Sequence, residues 1–353
     1  MMRTILTIAL LGAMAAPATA QDHRGSFRDS ARVILREAVA AAYREHDAEQ
    51  RQDSREQVER TTRTLKVGAN GELLLANISG DIVVTRGGGA DVTVEIVKTA
   101  RARDVNDARE QLQLVQVEVT ERAGRADVRA RYPNDGSRNN RRNINVSVAY
   151  TVTAPAGTRI SVESISGTVK VTDIKGDVSA NTISGDVRIT GAARISAAKT
   201  ISGVVEIVDA QTDGVLESGS VSGDVTLRRV TARRIEASTV SGSIKLDELQ
   251  CERVEASSTS GGVTFTGTLT RGARYDFNSF SGEVRLVLSG NTGFQIDANT
   301  FSGDIQTGDF PITTRGTANG RGRRRTELSG TYGDGSAMLD LTTFSGSILI
   351  SKR

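Results

Sequence analysis

One short motif, a Ser-Gly pair preceded two residues earlier by Ser or Thr, recurs along the C-terminal half of this chain. The Ser of the pair stands at Ser166, Ser184, Ser202, Ser222, Ser241, Ser260, Ser281, Ser302 and Ser345. The first eight copies are 18 to 21 residues apart, and the last follows after 43 residues. A repeat of this length predicts a solenoid, because each copy is too small to bury its own apolar face and must stack on the next.

Apolar residues recur at fixed offsets from this Ser, which we number position 0. Position +3 is Val or Ile in every copy, position +5 is apolar in all but one, and positions −6 and −4 are often apolar. Such alternation indicates strands with one buried face. Position −1 carries Ile, Val, Thr or Phe and shares the parity of +3 and +5. We therefore predict a corner between −2 and −1, with position −1 on the buried side of the second strand.

The small residues of the motif allow two interpretations each. Gly at +1 either faces inward, where a Cβ would crowd the next coil, or adopts a positive φ at a bend. The hydroxyls at −2 and 0 either form hydrogen bonds between coils and to the backbone, or line a flat face that binds a repeating polymer. The sequence does not separate these alternatives.

The composition suits a thin core and places few demands on chemistry. The 353 residues include 36 Gly and no Trp, and only 4% are aromatic. A net charge of +3 is too small to imply a strongly charged partner for the whole molecule. The single Cys251 excludes an internal disulfide, and its neighbours Gln250 and Glu252 offer no cation that would favour a reactive thiolate.

The first 64 residues predict an exported chain with a polar N-terminal segment. Residues 1–20 have the features of a signal peptide, namely Arg3, an apolar stretch at 5–16 and an Ala18-Thr19-Ala20 cleavage site. Without a later apolar run long enough to span a membrane, the mature chain is expected in the periplasm, on the outer surface or secreted. Residues 21–64 are predicted to form a short helix followed by a solvated helix or linker.

Residues 65–158 carry strand patterns with one early copy of the motif. That copy spans residues 71–84, with Ser79 and Gly80 at positions 0 and +1. Alternating strands are predicted near 92–96, 115–119, 128–132 and 144–152, with a helix at 104–112. We expect these strands to cap the open end of the solenoid, because an uncovered end is prone to aggregation. The predicted fold is all-β: a single-stranded β-helix of about ten coils at 159–353, an N-terminal β cap and a short N-terminal helical segment.

An Arg-rich loop at about 308–325 is the predicted binding site. Its basic residues are Arg315, Arg321, Arg323, Arg324 and Arg325, and a second cluster comprises Arg138, Arg141 and Arg142. Guanidinium groups bind phosphate and carboxylate bidentately, which points to an anionic envelope glycan or lipid, or to a surface protein. The alternative is a solvated loop. Nucleic acid is not expected as a partner of an exported chain.

The sequence gives no support for a catalytic centre. His23 and His46 both lie outside the repeats, and no metal, phosphate or dinucleotide motif is present, so no cofactor is predicted. At the outward position +2, only Glu283 and Asp304 are acidic on consecutive copies. Two solvated acids at a turn are the ordinary explanation for that pair. The alternative is a carbohydrate-active enzyme, which would gather carboxylates on adjacent coils.

Several segments together resemble a bacterial family labelled "putative adhesin", a β-helical domain of unknown function. They are NISGDI at 77–82, APAG at 154–157 leading into ISVESISG, the T-x-SGDV copies and the final TTFSGSI, and the resemblance covers 65–353. It implies an envelope or cell-surface role and no catalytic residues. We therefore predict an exported, non-enzymatic, adhesin-like or scaffold protein. A third possibility is an envelope-stress accessory protein whose helix at 30–46 docks a membrane partner.

Overall fold

The computed structural model describes residues 56–133, 144–308, 310–314 and 326–353. The N-terminal part contains β1 (Glu56–Leu65), β2 (Glu72–Ser79), β3 (Ile82–Gly87), β4 (Val92–Arg101), α1 (Val105–Leu114), β5 (Gln116–Arg122), β6 (Arg125–Arg131) and β7 (Val146–Pro155). The repeats contain β8 (Arg159–Ser166), β9 (Val169–Thr172), β10 (Asp177–Ser184), β11 (Val187–Thr190), β12 (Arg194–Ser202), β13 (Val205–Gln211), β14 (Val215–Ser222), β15 (Val225–Ser241), β16 (Ile244–Asp247), β17 (Gln250–Ser260), β18 (Val263–Thr268), β19 (Arg274–Ser279), β20 (Val284–Ser289), β21 (Phe294–Ser302), β22 (Ile305–Gln306), β23 (Thr313–Thr314), β24 (Thr326–Tyr332), β25 (Ala337–Ser345) and β26 (Ile348–Lys352).

The strands of the repeats form two parallel stacks, which confirms an all-β, solenoid-like fold. The first stack has the order β2-β8-β10-β12-β14-β15-β17-β19-β25-β21. The second has the order β3-β9-β11-β13-β15-β16-β18-β20-β26-β22. Equivalent residues pair, as in Ser184 with Ser202 and Val187 with Val205. One repeat therefore supplies one strand to each stack, while the number of complete coils stays a prediction.

The corner of each coil lies at the Ser-Gly pair, so the predicted corner between −2 and −1 was wrong. Strand β8 continues through Ser166 at position 0. Within it Val162 and Ser164 are buried, whereas Ile165 at position −1 is exposed. Alternation continues to position −1, so residues −6, −4 and −2 face inward and −1 faces solvent, and the Ser at position 0 is exposed as well. The buried face of the second strand begins only at position +3, for example at Val169.

The core is a narrow apolar layer between the two stacks. It is filled by small branched residues along most coils, such as Val187 and Ile189, both fully buried. Toward the C-terminal coils it widens to hold aromatic side chains: the ring centroids of Phe265 and Tyr275 are 5.2 Å apart in an edge-to-face arrangement. Cys251 is also buried, and burial raises the pKa of its thiol to about 12. This agrees with the unreactive thiol predicted from its neighbours.

The glycines at +1 occupy the closest approach between coils. A Cβ on Gly203 would overlap the carbonyl oxygen of Gly185, and the same holds for Gly242 against Gly223. Gly203 also has a φ of 153°, at the edge of the region that favours glycine. Both explanations offered by the sequence therefore apply at this position.

The hydroxyls at −2 form hydrogen bonds between coils, as the structural interpretation predicted. Seven of them donate to the carbonyl oxygen of the +1 glycine on the neighbouring coil, at 2.9 to 3.1 Å. The donors are Thr200, Ser220, Thr239, Ser258, Ser279, Thr300 and Thr343. Ser164 and Thr182 are buried at the same position, but their hydroxyls have no hydrogen-bond partner among the described residues. This column therefore links most of the coils through their corners.

The chain does not stack in sequence order at its C-terminal end. The last two strands, β25 and β26, lie between β19–β20 and β21–β22. The last copy of the motif, 342–348, therefore lies inside the stack rather than at its end. Strand β24 pairs antiparallel with β21, on the edge where a further coil would otherwise stack. An antiparallel strand there blocks the addition of another parallel coil.

The N-terminal strands extend both stacks beyond the early copy of the motif. β6 pairs parallel with β2, and β7 pairs parallel with β3 and antiparallel with β4. Helix α1 agrees with the predicted helix, and Asp104 caps it by accepting hydrogen bonds from the N–H groups of Asn106 and Asp107. β1 pairs antiparallel with β4 along its whole length. The prediction of helix or linker was therefore wrong for residues 56–64. This segment is too polar to form a core of its own, but its backbone pairs with the free edge of β4. That these strands act as a cap stays a prediction.

Candidate functional site

The Arg-rich site predicted from the sequence lies outside the described residues. This applies to Arg315, Arg321, Arg323, Arg324 and Arg325, and to the second cluster at Arg138, Arg141 and Arg142. The signal peptide at 1–20 and the helix at 30–46 also lie outside. These predictions therefore stand as they were made.

The acids at position +2 have a structural role. Oδ1 of Asp81, Asp186 and Asp224 accepts a hydrogen bond from the backbone N–H at the same position of the next coil, at 2.8, 3.0 and 2.8 Å. Glu283 and Asp304 do not form a pair, because the coil of β25 and β26 lies between them: Ser347 accepts from Val284, and Asp304 accepts from Ile348, both through the backbone. The one acidic pair considered for catalysis is thus not assembled.

A row of exposed apolar side chains runs along the first stack at position −1. We call it the apolar row. Its large members are between 37% and 57% exposed. They are Ile78, Ile165, Ile183, Ile201, Val221, Val240, Phe280, Phe344 and Phe301, in spatial order. Cross-strand pairs of this kind each stabilise a sheet by about 0.2–1 kcal/mol. Apolar side chains exposed in line on successive coils indicate an interaction site, because contiguous exposed apolar surface marks such sites.

Three phenylalanines form the C-terminal end of the apolar row. The rings of Phe280 and Phe344 are parallel with centroids 4.9 Å apart, and those of Phe344 and Phe301 are parallel at 4.7 Å. The spacing matches the separation of neighbouring strands, about 4.8 Å. The three rings are therefore a direct consequence of in-register stacking, with the inserted coil supplying the middle ring.

Two polar rows run beside the apolar row on the same outward face. Position −5 is acidic on six consecutive coils, and we call this the acidic row: Glu217, Glu236, Glu255, Asp276, Asp340 and Asp297. Position −3 between them is mostly amide or hydroxyl, including Ser257, Asn278, Thr342 and Asn299. The outward face thus carries three parallel rows: acidic at −5, neutral polar at −3 and apolar at −1. Hydrogen-bonding groups therefore lie along one side of the phenylalanine rings.

Cations neutralise part of the acidic row. Lys199 pairs with Glu217, and Arg234 contacts both Glu236 and Glu255 at 2.9 Å. Arg274 contacts Asp340 at 3.2 Å. In contrast, Asp276 and Asp297 accept hydrogen bonds from the side-chain amides of Asn278 and Asn299, at 2.7 and 3.0 Å. Negative charge therefore collects at the C-terminal end of the row, next to the phenylalanines.

Asp340 lies in register between Asp276 and Asp297 on the two flanking strands. Partial burial and, after it, the charge of Asp276 raise the pKa of Asp340 above its ordinary value, against the opposing effect of Arg274. Two acids on neighbouring strands disfavour a third charge between them. This carboxyl is therefore easier to protonate than an isolated one.

Two of the surface depressions adjoin these rows. One of about 450 Å³ is lined by Ser257, Ser258, Thr259, Asn278, Ser279, Phe280, Asn299, Thr300, Phe301, Thr342, Thr343 and Phe344. One of about 270 Å³ adjoins Asp297 and Asp340. Two of about 510 Å³ lie elsewhere, one near Glu248 and Arg353 and one near β1. In the described ranges, no group of three or more His, Cys, Asp or Glu residues is arranged to hold a metal ion.

The sequence contained the signal for both rows. The repeated acid at position −5 and the repeated Ile, Val or Phe at −1 are visible once the copies are aligned on their Ser. The apolar row was missed because position −1 was assigned to the buried face. The acidic row was missed because carboxylates were sought only at position +2. The spatial neighbours of the last coils were not available from sequence order.

The comparisons with known proteins identify a family and a fold type. The family model described as Toastrack DUF4097 matches residues 70–351. None of the curated proteins compared with the chain matches it. Within the described residues, no helix has both the length and the apolar character needed to cross a membrane.

Three solved bacterial structures are similar over much of the chain. One is titled a putative adhesin from Bacteroides fragilis, with 17% identity, TM-score 0.41, and coverage of 84% of this chain and 97% of that one. Another is titled a putative adhesin from Parabacteroides distasonis, with 12% identity, TM-score 0.44, and coverage of 83% and 97%. A third is titled a putative lipid binding protein from the same species, with 17% identity, TM-score 0.41, and coverage of 65% and 90%.

Proposed function

The chain belongs to the Toastrack DUF4097 family, and from the exposed apolar row we propose that it is a non-enzymatic, adhesin-like or scaffold protein that binds a surface partner. The partner belongs to the bacterial envelope or the extracellular space. The proposal includes export, for which the support is the signal-peptide pattern of residues 1–20.

The observation that carries this proposal is the exposure of large apolar side chains at the same position of nine coils. These side chains come from successive coils, are held in register by main-chain pairing and do not depend on flexible loops. A rigid, preformed line of apolar groups loses little conformational entropy on binding. It is therefore suited to contact an extended partner along the solenoid.

The test is co-sedimentation of the mature chain, residues 21–353, with isolated envelope fractions over a salt series. The row variant carries Phe280→Ser, Phe301→Ser and Phe344→Ser. Its matched control carries Val58→Ser and Leu114→Ser, two exposed apolar positions away from the row. We expect the row variant to lose at least tenfold in binding and the control to bind like the wild type. Equal binding of all three proteins would remove the apolar row from the proposal.

A second set of variants separates the predicted basic loop from the row. Here Arg315, Arg321, Arg323, Arg324 and Arg325 are changed to Ser. Binding through that loop would weaken steeply with salt, because contacts of guanidinium groups with an anionic surface are screened. Binding through the apolar row would change little with salt. Absence of binding to every fraction would contradict the adhesin-like proposal as a whole.

One observation favours the enzymatic alternative, a carbohydrate-active enzyme. Asp340 has a raised pKa and lies between two further carboxylates, as an acid catalyst of glycoside cleavage requires. The ion pair with Arg274 opposes this role by favouring the charged form. Release of new reducing ends from envelope glycans by the wild type, and not by Asp340→Asn, would establish the enzyme in place of the binding protein.

A further inference from the structure

The apolar row has one interruption, at Thr259. Pairing of Thr239 with Ser258 and of Ser241 with Ser260 puts Val240 and Thr259 at equivalent positions on adjacent coils. On the other side, Ser281 donates a backbone hydrogen bond to Thr259 at 2.9 Å, so Phe280 lies on the next coil. Thr259 therefore stands between Val240 and Phe280. It matches Val240 in size but carries a hydroxyl, and it lacks the ring of Phe280.

Because Thr259 carries no ring, no aromatic ring of the described chain stacks on the side of Phe280 that faces Thr259. Phe344 covers the other face in a parallel stack. Phe280 is 57% exposed, which is the highest value among the exposed large apolar residues of the described chain. Val240 and Phe280 lie two strand spacings apart, about 9.6 Å. One further ring can lie parallel to Phe280 above Thr259, because the side chains of Thr259 and Val240 are both shorter than a phenylalanine.

The row itself shows that a ring fits at this spacing. Phe344 occupies the corresponding place between Phe280 and Phe301, with centroids at 4.9 and 4.7 Å. A ligand ring above Thr259 would extend the stack from three rings to four. The depression of about 450 Å³ includes this space, with Thr259 and Phe280 among its lining residues.

The rim of this space is polar and partly acidic. Ser257 and Asn278 line it at position −3. The amide nitrogen of Asn278 donates to Asp276 at 2.7 Å, which leaves the amide oxygen as an acceptor for an incoming hydroxyl. Beyond them lie Asp276 and Asp340 of the acidic row. The local chemistry is thus an apolar ring face with hydroxyl, amide and carboxylate acceptors at one edge.

These features select among the classes of ring-containing ligand. An anionic lipid or phosphate would meet the charges of Asp276 and Asp340. A phenyl side chain of a protein partner would leave the rim groups without hydrogen bonds, which is unfavourable for desolvated polar groups. A neutral pyranose satisfies both requirements, because its C–H face packs on an aromatic ring while its hydroxyls donate to the rim.

We infer that the space above Thr259 is a binding subsite for a neutral pyranose ring of a glycan, with the open face of Phe280 as its platform. The inference rests on the proposed function, since this subsite lies on the same face as the apolar row. It narrows the partner of that face to a glycan without acidic groups at this position.

The test uses an array of neutral and anionic oligosaccharides, followed by calorimetric titration of those that bind. Phe280→Ala removes the platform, and Thr259→Phe fills the space with a ring from the chain itself. Phe280→Tyr retains the ring face, and Val58→Ala shortens an exposed apolar residue away from the row as the matched control. We expect a neutral oligosaccharide to bind, at least tenfold weaker binding in the first two variants, and changes below twofold in the last two. Thermal unfolding checks that all variants fold.

Three results would overturn the inference: neutral oligosaccharides bound equally by Thr259→Phe, binding of anionic oligosaccharides only, or no binding on the array. Co-sedimentation with envelope fractions separates this failure from failure of the proposed function. A chain that sediments with envelope but binds no neutral oligosaccharide loses the subsite and keeps its binding role. A chain that does neither loses both.

Discussion

The glycine at +1 is the residue on which the close stacking of coils depends. In the middle of the solenoid each such glycine lies against the carbonyl oxygen of the glycine on the neighbouring coil. Any side chain there would have to separate two coils that are also joined by main-chain pairing and by the hydroxyl at −2. A single methyl group therefore acts on two coils and on several hydrogen bonds.

We predict that Gly203→Ala lowers the free energy of unfolding by about 3 kcal/mol or more, near the top of the usual range for one substitution. Its Cβ would overlap Gly185. Gly88→Ala is the control, because a Cβ there meets only open space. Urea unfolding of both variants provides the measurement. A loss below 1 kcal/mol for Gly203→Ala would show that the coils can move apart at little cost.

The hydroxyls at −2 allow a paired prediction with opposite outcomes. Thr239 donates to Gly223 at 3.0 Å, whereas the buried hydroxyl of Thr182 has no partner among the described residues. Thr239→Val should cost about 1 kcal/mol, because the partly buried carbonyl of Gly223 loses its donor. Thr182→Val should be neutral or stabilising, because it removes an unpaired polar atom. Thermal unfolding distinguishes the two, and equal losses would contradict the assignment.

At the scale of elements, the outward face of the first stack carries both the apolar row and the acidic row. Its strands bring three aspartates together from β19, β25 and β21. A carboxyl that binds protons more readily in the folded state stabilises the fold when protonated. That contribution is present below the pKa of the unfolded chain and is lost as pH rises through the raised folded pKa.

We therefore predict that Asp340→Asn is more stable than the wild type near pH 7 and equally stable at low pH, where both side chains are neutral. A carboxyl titration followed by NMR should also find the pKa of Asp340 above its ordinary value, and Asp276→Asn should lower it. Glu163→Gln, on the same stack but distant, should leave it unchanged. A wild-type pKa at or below the ordinary value would contradict the arrangement of the three acids.

For the whole molecule, the order of coils in space differs from their order in the chain. The end of the chain inserts between coils that precede it, while β24 occupies the outer edge of β21. The C-terminus thus forms an interior coil. Its removal would separate β21 and β22 from the rest of the solenoid.

We predict that deletion of residues 337–353 abolishes amide protection in β21 and β22, which pair with the deleted strands. Protection in the N-terminal coils β8 to β13 should persist, because each coil contacts its neighbours alone. Hydrogen exchange measured by mass spectrometry tests this, with Met338→Ser as an exposed control on β25. Retained protection would mean that β21 can pair with β19 directly.

The repeat was sufficient to predict the stacked coils and the early copy at Ser79, and local patterns predicted helix α1 and the N-terminal strands other than β1. These features depend on the alternation of apolar and polar residues and on the recurrence of like residues in each copy, and both can be seen in the sequence alone. The side of position −1 was assigned incorrectly, because parity is equally consistent with a corner before −1 or at the Ser-Gly pair. The contact of Gly203 with Gly185, which sets the corner, exists only between coils.

The sequence by itself determined that this chain forms a solenoid of parallel strands, because every copy presents the same buried residues in the same register. It could not determine the order of the last coils. All copies have the same pattern of buried residues, so each could pair with any other, and the sequence does not indicate which neighbour a copy takes. The tertiary structure decided that order through the antiparallel pairing of β24 with β21. The same decision places Phe344 between Phe280 and Phe301 and so creates the ring stack beside the open space at Thr259.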